Sequence, residues 1–215
     1  MEGSMSLVSV EPYRVEMSRS DGEYRIYLMV FESDRLPQTW VDGVNENANE
    51  VWTTHQWLKA CFMASGIQVP ISIVPIGTEV PNLNPPWHLS PPPSSRRSSS
   101  SFASIFGASK NPAFTFLALA NAQPRKALAQ QIESFIASFG ANNQTVALRL
   151  HAKWGDHGEL QDIRGLAGGA SNVKVTQGTL GRMEMDALWG ESDAVLALSK
   201  GEGWGQVPRE ALAMG

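Results

Sequence analysis

Short apolar, β-rich runs alternate with amphipathic stretches along most of this chain, the patterning of an α/β protein. Tyr24–Phe31, with Ile26, Tyr27, Leu28, Val30 and Phe31, predicts a buried strand that ends in the polar turn Glu32-Ser33-Asp34. Between Glu50 and Ala64, apolar residues at 51, 52, 57, 58, 61 and 62 predict a short strand and then a helix closed by Ser65-Gly66. Ile71–Pro75 predicts a further strand, turning at Gly77-Thr78. The pattern resumes at Asn111: strand Phe114–Leu119, turn Asn121–Pro124, helix Lys126–Phe139, strand Thr145–His151, a loop, strand Val173–Thr176, helix Arg182–Trp189 and strand Ala194–Leu198. The first of these helices sets Leu128, Ile132, Phe135, Ile136 and Phe139 on one face, an apolar stripe at helical spacing.

The middle of the chain is different. Residues 81–110 hold Pro85-Pro86, Pro91-Pro92-Pro93 and the run from Ser94 to Ser101 around Arg96-Arg97, with almost nothing to pack, and read as a flexible linker or surface insertion. At 215 residues and 42% hydrophobic content, the chain can bury one sizeable core or parts of two. A net charge of −4 argues against nucleic acid or an anionic membrane as a main partner. The single cysteine, Cys61, excludes an internal disulfide and sits among Trp57, Leu58 and Phe62 as a small core residue. Met1–Arg14 carries no apolar core of the signal-peptide type, and no run reaches the roughly 18 apolar residues of a membrane span. A soluble, reducing, cytoplasmic setting is the expectation.

The chemistry concentrates at the end of the chain. Ser199-Lys200-Gly201-Glu202-Gly203-Trp204-Gly205-Gln206-Val207-Pro208-Arg209-Glu210 follows an apolar strand and leads into a helix with Pro208 in its first turn. Ligands of open α/β sheets bind at the C-terminal ends of strands, where helix N-termini attract phosphate oxygens. Glu202 in the loop and Glu210 in the first helical turn are eight positions apart and are expected to face one cleft. A carboxylate accepts two hydrogen bonds at once and so suits the vicinal hydroxyls of a sugar. Glycines at 201, 203 and 205 let the backbone approach a ligand closely. Earlier in the chain, Arg125 and Lys126 place two cations at a predicted helix N-terminus, a position the helix dipole disfavours unless a bound diphosphate compensates. His151, Asp156, His157 and Glu159 form a loose polar loop without the spacing of a metal site. Neither G-x-S-x-G nor the Walker pattern occurs.

Glu202 to Glu210 resembles the E-x7-E signature of retaining glycosyltransferases with two facing Rossmann-like domains, the GT-B type, in particular the large family four. Phe31–Pro37, Trp40-Val41-Asp42, Val51–Thr54 and Ser65–Gly77 are similar to the second half of that family's N-terminal domain. Phe114–Leu117 with Pro124-Arg125-Lys126 is similar to the first strand and basic turn of its C-terminal domain. The resemblance implies an α/β fold of two Rossmann-like domains, both incomplete in this chain. Residues 1–23 match nothing, 24–80 form the second half of the acceptor-side domain, 81–110 the linker or insertion, and 111–215 the truncated nucleotide-sugar-binding domain.

The resemblance also implies roles. Arg125 and Lys126 neutralise the departing diphosphate, and Glu202 contacts hydroxyls of the donor sugar. The Gly203-Trp204-Gly205 backbone lies against sugar and phosphates, and Glu210 binds the nucleotide ribose. No metal and no cofactor are expected beyond the nucleotide diphosphate-sugar as donor substrate. The partners are that donor and a carbohydrate or glycan acceptor. Trp204 stands where Phe is common and Ala127 where Gly is common, and Ala118-Leu119-Ala120-Asn121 lacks an arginine many members carry. The family's first strand, its glycine-rich acceptor loop and its N-domain histidine are expected before Tyr24, so no catalytic histidine is assigned. A different class remains open, an inactive remnant that binds nucleotide or serves as an interaction module.

Overall fold

The computed structural model of the chain describes residues 5–9, 24–78 and 113–214. Two units result, Met1–Gly77 with Gly201–Gly205, and Thr78–Lys200 with Gln206–Gly215. The Pro/Ser-rich stretch 81–110 lies outside the described residues.

In unit 1, strands β1 (Met5–Ser9), β2 (Tyr24–Leu28), β3 (Glu50–Thr53) and β4 (Ile71–Ile73) form one sheet in the order β1-β2-β3-β4, every neighbouring pair parallel. Parallel neighbours need crossovers, supplied by helix α1 (Gln38–Asn47) between β2 and β3 and α2 (Gln56–Ser65) between β3 and β4. Two of these elements have no counterpart among those predicted from the sequence. Residues 1–23, which match nothing in the resemblance, contain β1, paired from Met5 with Tyr24 to Ser9 with Leu28. Helix α1 forms although Gly43, Asn45 and Asn47 are poor helix residues, because Val41 and Val44 bury one stripe in the core. Leu58 and Phe62 of α2 are fully buried with Tyr27, Met29 and Val51, each contributing about 1.5–3 kcal/mol. Cys61 joins this core, and burial pushes its thiol pKa up. Gly66 closes α2 in the left-handed conformation that the Ser65-Gly66 signal predicts.

In unit 2, β5 (Phe114–Leu119), β6 (Val146–Ala152), β7 (Val173–Gln177) and β8 (Ala194–Val195) form a second all-parallel sheet in the order β7-β6-β5-β8. Helix α3 (Leu128–Phe139) joins β5 to β6, α4 (His157–Gly168) joins β6 to β7, α5 (Arg182–Gly190) joins β7 to β8, and α6 (Gln206–Met214) follows. Leu128, Ile132 and Phe135 of α3 pack with Leu160 and Ile163 of α4 on Ala118, Leu148 and Leu150. Leu117, next in sequence to Ala118 and so on the opposite face, packs with Leu188 and Trp189 of α5 and Met214 of α6. The sheet is therefore covered on both faces, as parallel sheets require.

Helix α4 replaces the loop expected between 152 and 172. Its three glycines, Gly158, Gly165 and Gly168, hide its helical character, yet Asp156 caps it by accepting from the Gly158 and Glu159 N–H groups at 2.9 and 3.3 Å. His151 is also absorbed structurally. Its Nε2 lies 3.0 Å from the Gly178 carbonyl and its Nδ1 2.9 Å from Thr176 Oγ1. A carbonyl only accepts, so Nε2 carries the proton and Nδ1 accepts from the threonine. Strand β8 is shorter than the expected Ala194–Leu198, with Leu196 still donating to the Leu117 carbonyl at 2.8 Å.

Candidate functional site

The strand order of unit 2 locates its crevice. From β5 the chain steps to β6 and β7 on one side, then returns to place β8 on the other side of β5, so the direction of winding reverses between β5 and β8. Crevices for ligands open beyond the C-terminal ends of the strands at such a reversal. The segments leaving those two ends are Asn121–Ala127 and Ser199–Lys200, and the Lys200 N–H donates to the Arg125 carbonyl at 2.8 Å. Arg125 and Lys126 are both half-buried there.

The basic pair is built differently from the sequence expectation. Pro124–Lys126 is a separate 3-10 turn, followed by Ala127 in the left-handed region at φ 51°, and α3 starts only at Leu128. A left-handed residue breaks the hydrogen-bond ladder, so the two cations end a short turn rather than open the long helix. The Lys126 carbonyl accepts from Gln131 Nε2 at 2.9 Å and the Ala127 carbonyl from the Gln131 N–H at 3.0 Å, which ties the turn to α3.

Glu210 also lies deeper in its helix than expected. Helix α6 begins at Gln206, two residues before Pro208, so Glu210 is the fifth residue of Gln206–Met214 and lies beyond the first turn. Its Oε1 accepts from Gln206 Nε2 at 2.8 Å, an i,i+4 pair that orients the carboxylate.

The loop Gly201–Gly205 belongs to unit 1. Glu202 is exposed, Gly203 and Gly205 are buried and Trp204 is half-buried. The sequence expectation is that these glycines admit a ligand; their close neighbours here are the chain's own backbone. A Cβ on Gly201 would lie 2.8 Å from the Glu32 carbonyl oxygen, and one on Gly203 3.1 Å from the Phe31 nitrogen. The Gly203 carbonyl accepts from Thr54 Oγ1 at 3.4 Å and pairs with His55 Nε2 at 3.0 Å, and the His55 ring stacks on Trp204 with centroids 6.5 Å apart. His55 thus meets the motif loop from 148 residues away, where sequence spacing carries no signal. What its context does show is a capping position before α2, because its Nδ1 accepts from the Leu58 N–H at 3.4 Å.

No protein-family model and no curated protein matches the chain. Solved structures do. HepE of Anabaena, in complex with UDP and glucose, superposes with a TM-score of 0.62 at 15% identity over 89% of this chain and 51% of that one. The N-terminal domain of Candida albicans trehalose-6-phosphate phosphatase gives 0.61 at 13% over 89% and 49%. The UDP-forming α,α-trehalose-phosphate synthase of Burkholderia vietnamiensis gives 0.61 at 11% over 89% and 50%. The fold is that of the GT-B glycosyltransferases. At these identities the likeness is one of fold, and the chain spans about half the length of these solved chains. Among the described residues no helix is long and apolar enough to cross a membrane.

Proposed function

We propose that this chain is part of a glycosyltransferase that moves a hexose from a nucleotide diphosphate-sugar to a carbohydrate or glycan acceptor, with retention and without a metal ion. The observation that carries this reading is the 2.8 Å bond from the Lys200 N–H to the Arg125 carbonyl. It joins the basic turn after β5 to the segment that leaves β8 for the Glu-Gly-Trp-Gly loop, at the strand-order reversal of a GT-B-type sheet. HepE, of like fold, is a complex with UDP and glucose, which supports a uridine diphosphate-sugar as the first donor to test and uridine diphosphate as the first ligand.

In the transfer, the bond from the anomeric carbon to the diphosphate breaks and its electron pair stays on the phosphate oxygen. The acceptor hydroxyl forms the new bond on the same face and gives its proton to the departing phosphate oxygen. Arg125 and Lys126 stabilise the negative charge that grows on the leaving diphosphate, a contribution of the kind whose loss costs about 2.7–4 kcal/mol per group. Glu202 accepts from hydroxyls of the donor sugar, with the Gly203-Trp204-Gly205 backbone against sugar and phosphates. Glu210, held by Gln206, accepts from the ribose hydroxyls. A cytoplasmic setting is part of this reading, and the buried, free thiol of Cys61 is compatible with it.

Calorimetry with uridine diphosphate on the 215-residue chain tests the reading. Saturable binding that Arg125→Ala and Lys126→Ala each weaken tenfold or more is the expected result, at about 1.4 kcal/mol per tenfold. A folded chain that binds no nucleoside diphosphate overturns it. With a glycan acceptor in hand, the anomeric configuration of the product, read by proton NMR, checks retention.

A further inference from the structure

The carbonyl of Gly203 is reached by side chains of two consecutive residues between β3 and α2. Thr54, 1% exposed, donates from Oγ1 at 3.4 Å, and His55 Nε2 lies at 3.0 Å. The proton on the imidazole follows from its other nitrogen. Nδ1 accepts from the Leu58 N–H as the N-cap of α2, so it carries no hydrogen, and Nε2–H donates to the Gly203 carbonyl. One ring therefore closes the start of α2 and grips the loop. Its face stacks on Trp204, with ring planes 15° apart. The fit leaves little room: a Cβ on Gly203 would lie 3.2 Å from both the Phe31 carbonyl oxygen and the Val30 Cβ.

We propose that His55, supported by Thr54, is the positioning residue of the Glu202–Gly205 loop. It fixes the backbone on which Glu202 is presented and does not itself touch the donor. Its effect on ligand binding rests on the donor-site reading above; its effect on the order of the loop does not.

Two substitutions separate the two jobs of the ring. His55→Asn keeps an acceptor where Nδ1 stands, preserving the cap, and is too short to reach Gly203. His55→Gln places an amide nitrogen near the position of Nε2 and gives up the cap. The loop is read by hydrogen exchange of the backbone amides of residues 201–207, folding by the thermal midpoint, and ligand binding by calorimetry with uridine diphosphate. In His55→Asn the midpoint stays near that of the parent while loop exchange speeds up about fivefold or more, the loss expected for one hydrogen bond. In His55→Gln the midpoint falls and the slow exchange returns. Affinity for uridine diphosphate follows the loop, dropping about fivefold in His55→Asn and recovering in His55→Gln.

Loop exchange in His55→Asn equal to the parent's overturns the proposal, as does fast exchange in both variants. Should His55→Asn fail to fold, Thr54→Val removes the other donor to the same carbonyl and is expected to speed loop exchange; unchanged exchange there overturns the proposal as well. If the parent chain binds no uridine diphosphate, the donor-site reading falls, and the exchange comparison still decides the role of His55.

Discussion

Gly155 and Ala122 pack backbone against backbone, so close that a Cβ on Gly155 would lie 2.3 Å from the Ala122 Cβ. The two residues form an isolated parallel bridge, with the Ala122 N–H donating to the Trp154 carbonyl at 2.8 Å and the Asp156 N–H to the Ala122 carbonyl at 2.7 Å. This bridge ties the segment after β6 to the segment that carries Arg125 and Lys126. It also delivers Asp156 to the start of α4.

Gly155→Ala is therefore expected to destabilise the protein by about 1–3 kcal/mol, since the obstructing atoms are backbone and a fully buried methyl. Gly165→Ala, inside α4 with nothing within 4 Å of the added Cβ, is expected to stabilise by about 0.5–1 kcal/mol. Urea unfolding of both variants checks the pair. Equal midpoints would remove the bridge from the account of how the basic turn is held.

Ala127 sits at φ 51°, and among the described residues it is the one non-glycine with positive φ. The left-handed conformation costs alanine about 1–2 kcal/mol, against about 0.8 kcal/mol from burying its methyl group. Ala127→Gly should thus leave stability within about 1 kcal/mol of the parent or raise it. Ala137→Gly, at an exposed position inside α3, should cost about 1 kcal/mol. Thermal midpoints decide, and a larger loss at Ala127 than at Ala137 contradicts the strained-turn account.

His151 predicts a pH dependence. Burial lowers its pKa, outweighing the upward pull of its bond to the Gly178 carbonyl and of the Glu184 charge. The folded protein keeps the ring neutral where the unfolded chain takes up a proton. The contribution to stability is therefore full above the ordinary histidine value of 6.5 and is lost as pH falls through the lower folded value. Unfolding free energies between pH 8 and 5 should show this slope, and His151→Asn should flatten it. A variant with the parent's slope assigns the dependence elsewhere.

Glu50 collects donors from its own strand and from both neighbours: Ser72 Oγ at 2.7 Å, Trp52 Nε1 at 2.9 Å and the Tyr24 hydroxyl at 3.2 Å. The Ser72 bond, helped by those from Trp52 and Tyr24 and opposed by burial, holds its carboxyl below the ordinary value of 4.5. That stability is present above pH 4.5 and lost as pH falls. Ser72→Ala should cost about 0.5–1.5 kcal/mol at pH 7 and move the Glu50 titration upward. Carbon-detected NMR of the carboxyl reads the second effect; an unmoved titration would show that Ser72 does not hold the charge.

Glu210→Ala should weaken uridine diphosphate binding while leaving the thermal midpoint near the parent's, because the i,i+4 bond to Gln206 that it removes is worth about 0.2–0.5 kcal/mol. Gln206→Ala leaves the acid in place but free to rotate, and a smaller loss of affinity is expected. Calorimetry on both variants measures this, and unchanged affinity in Glu210→Ala takes the residue out of the proposed site.

How far the fold was legible depends on the element. The stripe of α3 is visible in the sequence, and Leu128, Ile132 and Phe135 are buried as that stripe requires. Helices α1 and α4 are not, because asparagines and glycines depress their propensity and their apolar positions are few. The signal available for α4 was Asp156 with Glu159 three residues later, the spacing of a helix start. In the site, the glycine-rich loop and the basic pair stand out as local motifs. The break at Ala127 sets Arg125 and Lys126 apart from α3, and the start of α6 at Gln206 sets Glu210 deeper in its helix, since helix ends depend on φ/ψ choices that side-chain pattern describes poorly.

Local patterning thus established most of the alternation of strands and helices and a glycine-rich segment after a strand, because these follow from hydrophobic period and backbone propensity over a few residues. The order β7-β6-β5-β8 does not follow from them. It depends on which edge of the sheet each crossover can cover, and it is that order which brings Arg125 to Lys200. The grip of Thr54 and His55 on Gly203 is of the same kind. A hydrogen bond across 148 residues leaves no period in the chain and exists once the packed backbone has brought donor and carbonyl together.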